Sequence, residues 1–246
     1  MEARMISIEF KSLVKRYRDV TAVDGLTAKI ESGRITGFLG PNGAGKSTAL
    51  RCLLGLAEAT DGQALVEGKA YRELDHPIRR VGAVLDSSGF NGALTATQNL
   101  KVICAAAGLD PSRIPELLKL VELDHAARKR TKGYSLGMKQ RLSLAGALLG
   151  DPDILVLDEP ANGLDPVGIA WLRQFLRGLA DSGKTVLVSS HQLAEMQHTV
   201  DDVIIINHGK LIVSGTIAEV TRDPNNPSGP SLSLEDAFLR LIGASK

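Results

Sequence analysis

Between an apolar run at 35–39 and a helix-like run at 46–56 lies Gly40-Pro41-Asn42-Gly43-Ala44-Gly45-Lys46-Ser47-Thr48, which satisfies the pattern G-x-x-x-x-G-K-[S/T]. A strand feeding such a loop and a helix leaving it commit the chain to an α/β core. Gly40, Gly43 and Gly45 let a tight loop turn successive backbone N–H groups inward at a polyphosphate, where a Cβ would stand in the way. Lys46 adds a compact cation for the terminal phosphates, and Ser47 a hydroxyl for Mg²⁺. The helix starting near Lys46 points the positive end of its dipole at the same anion. A chance glycine-rich turn would lack this strand-loop-helix setting.

The 246 residues suffice for one domain with a full core and a lobe inserted in it. Lys+Arg of 29 against Asp+Glu of 28 leaves a net charge of +1, so no global field argues for nucleic acid as a partner. The basic run Arg128-Lys129-Arg130-Thr131-Lys132 lacks interleaved aromatics and reads as a solvated loop. Cys52 and Cys104 both sit in apolar helix-like stretches, which fits buried, reduced thiols better than a disulfide or a metal site. Residues 1–11 mix charged with apolar side chains and lack the apolar core of a signal peptide. The longest apolar stretches, 102–109 and 142–149, fall short of the about 20 residues that span a bilayer. Any membrane role is expected to run through a separate chain.

Along the chain, short strands are predicted at 7–10, 26–30 and 64–66, an antiparallel patch attached to the core, and a further strand at 81–85. From about 90 to 149 the periodicity is helical, with helices predicted at 97–107, 115–121 and 136–149. Apolar, partly β-branched runs at 154–157 and 185–188 flank a helical stretch at 167–179, the layout of a parallel βαβ unit. A hairpin is predicted over 203–213, and Thr216 with Glu219 forms a capping box. Residues 222–230, with three prolines and two asparagines, read as a linker. Beyond it Leu234, Ala237, Phe238 and Leu241 fall at helical spacing, an apolar stripe covered either by the body of the protein or by a second copy. The organisation is thus a domain over 1–221 with a helical subdomain at about 87–149, then a linker and amphipathic helix over 222–246.

The run Ile154-Leu155-Val156-Leu157-Asp158-Glu159 is an apolar strand ending in two carboxylates. Asp158 therefore emerges at the carboxyl edge of the sheet, beside the phosphate loop, where a Mg²⁺ ligand acting through water is needed. Glu159, one residue further, is suited to orient or deprotonate an attacking water. Read without the loop, the same pair could simply cap a buried strand.

Between these two nucleotide motifs, Tyr134-Ser135-Leu136-Gly137-Met138-Lys139-Gln140-Arg141-Leu142 resembles the signature motif of ABC ATPases. Ala161-Asn162-Gly163-Leu164-Asp165-Pro166 is similar to that family's D-loop, Val188-Ser189-Ser190-His191 to its switch-histidine loop, and Tyr17 stands where its adenine-stacking aromatic does. The resemblance covers essentially the whole chain. It implies a P-loop NTPase core with a mostly parallel sheet, an N-terminal antiparallel β patch and an inserted α-helical subdomain. It further implies ATP and Mg²⁺ as cofactors and His191 at the γ-phosphate. Tyr17 is implied against adenine, with ordinary packing as its other reading. In the family the signature serves the nucleotide of the other subunit, so Ser135, Gly137 and Asp165 are implied in trans, in a dimer sandwiching two nucleotides. Ser135 suits this as the cap of a helix beginning near Gly137.

Two departures stand out. Leu136 and Met138 replace the Gly and Gln of the commonest signature, which requires their side chains to point away from nucleotide. The segment Val81-Gly82-Ala83-Val84-Leu85-Asp86 ends in Asp86 where a Q-loop glutamine is usual, making Asp86 a further candidate Mg²⁺ contact or simply the cap of the turn that follows. These features, with Ser233-Leu234-Glu235-Asp236-Ala237-Phe238, resemble the branch that exports drugs and peptide antibiotics. The resemblance implies an ATP-hydrolysing subunit, cytoplasmic and peripheral on the inner face of the cell membrane, that powers a separately encoded permease. A soluble ABC-type ATPase in a process such as cofactor assembly, and a nucleotide-gated interaction module without turnover, are the alternatives.

Overall fold

The computed structural model describes residues 5–85, 89–223 and 230–243. In chain order its elements are β1 (Ile6–Tyr17), β2 (Val20–Glu31), β3 (Ile35–Leu39), α1 (Lys46–Leu53), β4 (Asp61–Val66), α2 (Pro77–Arg80) and β5 (Val81–Val84). There follow α3 (Ala96–Ala107), α4 (Ile114–Leu120), α5 (Leu136–Ala147), β6 (Ile154–Asp158), α6 (Pro166–Asp181) and β7 (Thr185–Ser190). The chain continues through α7 (Leu193–Gln197), β8 (Asp202–Asn207), β9 (Lys210–Thr216), α8 (Ile217–Val220) and α9 (Leu234–Leu241).

Two sheets carry the fold. β2-β1-β4 is antiparallel throughout. The six-stranded sheet runs β5-β6-β7-β3-β8-β9, parallel except for β9, which pairs antiparallel with β8 at the edge. Every residue of β3 is buried because the strand lies inside this sheet and both faces are covered, the condition that makes parallel strands continuously apolar. Alternation then divides the strands between two cores. Leu155, Leu157, Val186 and Val188 face the helical side, while Ile154, Val156, Leu187 and Phe38 face α1 and the antiparallel sheet. Phe38 is fully buried and stacks on Phe10 at 5.9 Å between ring centroids, joining the two sheets.

The antiparallel patch is larger than its sequence signals. β1 and β2 are 12 residues each where runs of four and five were expected. Lys11, Lys15 and Arg16 interrupt the apolar pattern because one face of the pair is solvated, and register shifts near Ser12, whose φ is 47°, break strict alternation. Elsewhere the helices and core strands fall within a few residues of their predicted ends. α3, α4 and α5 follow one another between β5 and β6, and both cysteines are free and buried. In the basic run Arg128, Lys129, Arg130 and Lys132 are exposed. Thr216 caps α8, accepting from Glu219 N at 3.2 Å while Glu219 Oε2 accepts from Thr216 N at 2.8 Å. The tail stripe is covered by the body of the protein: Leu234, Ala237 and Phe238 are buried. Leu241 is not; it is 45% exposed as α9 runs past the edge of the core, and Ile242 packs there instead.

Candidate functional site

The ladder register decides what meets at the sheet edge. Leu39 pairs with Ser190 and Asp158 with Ser189, so β3, β6 and β7 end level and release Gly40, Glu159 and His191 side by side. The loop leaving β3 is dictated by glycine at two points. Gly40 has φ +153° and a Cβ on it would lie 2.2 Å from Ile206 O; Gly45 has φ +105° and its Cβ would lie 2.3 Å from Ala22 O. Both are backbone oxygens that cannot swing aside, so a side chain at either position would push the loop off the strands behind it.

Lys46 opens α1, whose first turn holds no acidic residue. Its side chain is 5% exposed, and Nζ donates to Gly40 O at 2.7 Å and Pro41 O at 3.2 Å. The same ammonium lies 3.3 Å from Glu159 Oε1. Glu159 sits in a left-handed conformation, φ 49°, that turns the chain as it leaves β6. His191 Nδ1 donates to Glu159 Oε2 at 2.8 Å. Lys46, Glu159 and His191 therefore form one connected cation-carboxylate-imidazole row. Ser189 braces it from below: its hydroxyl donates to Asp158 Oδ1 and accepts from Glu159 N at 3.0 Å. A cleft of about 270 Å³ opens over the row, lined by residues 42–48 with Ala22, Glu159, Asn162 and His191. The oxygen donors at this edge, the Ser47 hydroxyl and the Asp158 carboxylate, are of the hard kind that Mg²⁺ takes beside phosphate oxygens.

Ser135, Gly137 and Asp165 gather elsewhere. They line a second cavity of about 360 Å³ with Leu136, Leu164 and Trp171, and it shares no lining residue with the first. Ser135 is the N-cap of α5, which begins at Leu136; its oxygen accepts from Met138 N at 3.2 Å, leaving the hydroxyl proton to donate outward. Asp165 caps α6 in the same way, accepting from Gly168 N at 2.7 Å. Leu136 and Met138, expected to point away from nucleotide, both line this cavity, and Leu136 lies across Gly163, its Cδ2 2.2 Å from where a Cβ on that glycine would be. Tyr17, 46% exposed, closes β1 and carries Lys15 Nζ 4.6 Å from its ring centroid; it is not among the residues lining the first cleft, although Ala22 of the same hairpin is. Asp86 lies outside the described residues. Ser189 and Asn162 stood within motifs read from the sequence but had no role there. The serine flanking a strand-end histidine was the available signal for Ser189; for Ala22 there was none.

The protein-family model described as ABC transporter matches residues 23–162, more than half of the chain and including the phosphate loop, the Ser135 cap and the Asp158-Glu159 strand. The chain belongs to the ABC transporter family. As an ABC ATPase it binds and hydrolyses ATP. A second model, described as an AAA domain, putative AbiEii toxin, type IV TA system, matches residues 131–197. Among curated relatives, the bacitracin transport ATP-binding protein BcrA of Enterococcus faecalis is 39% identical over 216 residues, spanning 87% of this chain and 70% of the relative. The lantibiotic transport ATP-binding protein SrtF of Streptococcus pyogenes is 37% identical over 206 residues, 84% of this chain and 89% of the relative. A solved ATP-binding subunit of an ABC transporter superposes with a TM-score of 0.83 at 26% identity, covering 96% of this chain and 99% of that one. No helix among the described residues is long and apolar enough to cross a membrane.

Proposed function

We propose that this ABC ATPase powers export of drugs or peptide antibiotics through a separately encoded membrane permease, working from the cytoplasmic face of the membrane. The relatives named for bacitracin and lantibiotic transport support the substrate class. The observation that carries the chemistry is the Lys46-Glu159-His191 row beneath the phosphate loop. In this reading residues 40–48 hold the polyphosphate by backbone N–H groups, Lys46 neutralises its terminal oxygens, and Tyr17 offers a flat face to adenine. Ser47 and Asp158 would hold Mg²⁺, with Asp86 as a further contact, and the ion would supply neutralisation of the phosphate charge. Glu159 takes the proton of the attacking water, and His191 fixes the carboxylate through Oε2 while facing the γ-phosphate. Ser135, Gly137 and Asp165 serve the nucleotide of a second copy. The working unit is residues 1–221 with its helical subdomain at about 87–149, followed by the 222–246 linker and helix.

The test is Glu159→Gln, which keeps shape but removes the base. Steady-state phosphate release should fall about 10²- to 10⁴-fold, while nucleotide affinity stays near that of the unaltered chain. Turnover at the original rate would move the base elsewhere. Copurification of an integral membrane protein with the tagged chain separates the transport reading from a soluble process.

A further inference from the structure

His191 hangs on a short connection. β7 ends at Ser190, and α7, which starts at Leu193, is five residues long with no side-chain cap. One helical turn has almost no stability of its own, so its orientation, and that of the residues leading into it, is set by what packs on it. α6 holds it on one side: Arg173 Nη2 donates to Glu195 Oε2 at 3.1 Å, and Arg177 Nη2 donates to Thr199 O at 2.8 Å.

The other support comes from the far end of the chain. Leu234 N donates to Gln197 Oε1 at 2.7 Å. That N–H belongs to the first residue of α9, where no intrahelical carbonyl can reach it, and the N-cap Ser233 spends its oxygen on Asp236 N at 3.0 Å. Gln197 thus completes the cap of a helix 37 residues away in sequence. Beside this bond, Leu234 and Phe238 pack in one apolar cluster with Met196 and Val200, on and just after α7. Arg240 Nη1 ties the outer end of α9 to Asp223 Oδ1 at 2.8 Å.

We infer that α9 is a brace for the switch histidine: through the Gln197 acceptor and the Leu234-Phe238 contact it fixes α7, and α7 fixes His191 against Glu159. Gln197 is then a positioning residue for hydrolysis, touching no nucleotide. The inference rests on the role given to His191 above. An ångström of misplacement at a reacting group costs far more in rate than in binding, so loss of the brace lowers kcat and spares ATP affinity.

Three full-length variants, Gln197→Ala, Gln197→Glu and His191→Ala, and a chain ending at Asn225 test it by phosphate release and fluorescent-nucleotide titration. Gln197→Ala and the shortened chain should lose about tenfold in kcat with ATP affinity unchanged within about twofold. Gln197→Glu keeps an acceptor at the same reach and should retain most of the activity. Unaltered kcat in Gln197→Ala overturns the brace, and this variant decides alone if the shortened chain does not fold. Equal losses in Gln197→Ala and Gln197→Glu, or a parallel fall in affinity, also overturn it. An inactive His191→Ala beside a fully active Gln197→Ala sinks the brace only; a fully active His191→Ala sinks the reading of His191 as well.

Discussion

The Lys46 ammonium has three oxygen neighbours, the carbonyls of Gly40 and Pro41 and the Glu159 carboxylate, and almost no contact with water. An entering polyphosphate competes only for the third, because the two carbonyls steer the ammonium without cancelling its charge. Lys46→Ala removes the cation and leaves Glu159 facing the phosphates as an uncompensated negative charge. Affinity for MgATP should fall by about 10- to 100-fold, the equivalent of one charge-assisted hydrogen bond. Fluorescent-nucleotide titration measures it, and undiminished affinity would put the nucleotide in another cleft. The cysteines make a second residue-level case. Burial pushes the Cys52 and Cys104 thiols above their ordinary range, disfavouring the reactive thiolate. Neither should react with an aromatic disulfide reagent at neutral pH until the chain is unfolded, when both should titrate; fast labelling of the folded protein would contradict their packing.

At the level of elements, legibility followed how local the determining physics is. The β3-loop-α1 unit, the Asp158-Glu159 strand end and the Thr216-Glu219 box were readable because each is set by neighbours in sequence. β1 and β2 were half hidden, since their charged residues mark a solvated face that only the pairing defines. The resemblance had set Lys46, Glu159 and His191 around one terminal phosphate, but their direct contacts needed the sheet register, and the Gln197 contact to α9 had no sequence signal. Nor did the contact between α5 and α6. Arg141, on α5, stacks its guanidinium 3.9 Å from the Trp171 ring centroid and also pairs with Glu122. Trp171, the chain's single tryptophan, in turn stacks on Phe175 at 5.0 Å. Arg141→Ala should cost about 1–2 kcal/mol, mostly the cation-π contact, and should shift the native tryptophan emission. A denaturant titration followed by fluorescence reads both; unchanged emission would mean that the guanidinium does not rest on the ring in solution.

On the scale of the whole molecule, the candidate site residues fall into two separate cavities of one chain. Asn162 lines the phosphate cleft and its neighbour Gly163 lines the cavity of Ser135, Gly137 and Asp165, so the two cavities adjoin in sequence yet share no lining residue. A head-to-tail pair related by a twofold axis would set each phosphate cleft against the partner's Ser135 cavity and complete both sites at once. Complementation tests that geometry. Gly137→Asp puts a carboxylate where an anion would be held, and the position has room for it, since a Cβ there meets only Leu164 Cδ2 at 3.4 Å. Alone, Lys46→Ala and Gly137→Asp should each be inactive, one for want of the cation and the other by repulsion. In an equal mixture, half of the pairs are mixed, and each mixed pair has one composite site with both halves intact. Phosphate release should recover to about a quarter of the unaltered rate if twofold pairs exchange freely. A mixture no more active than its components would mean that Ser135, Gly137 and Asp165 serve no nucleotide across the axis.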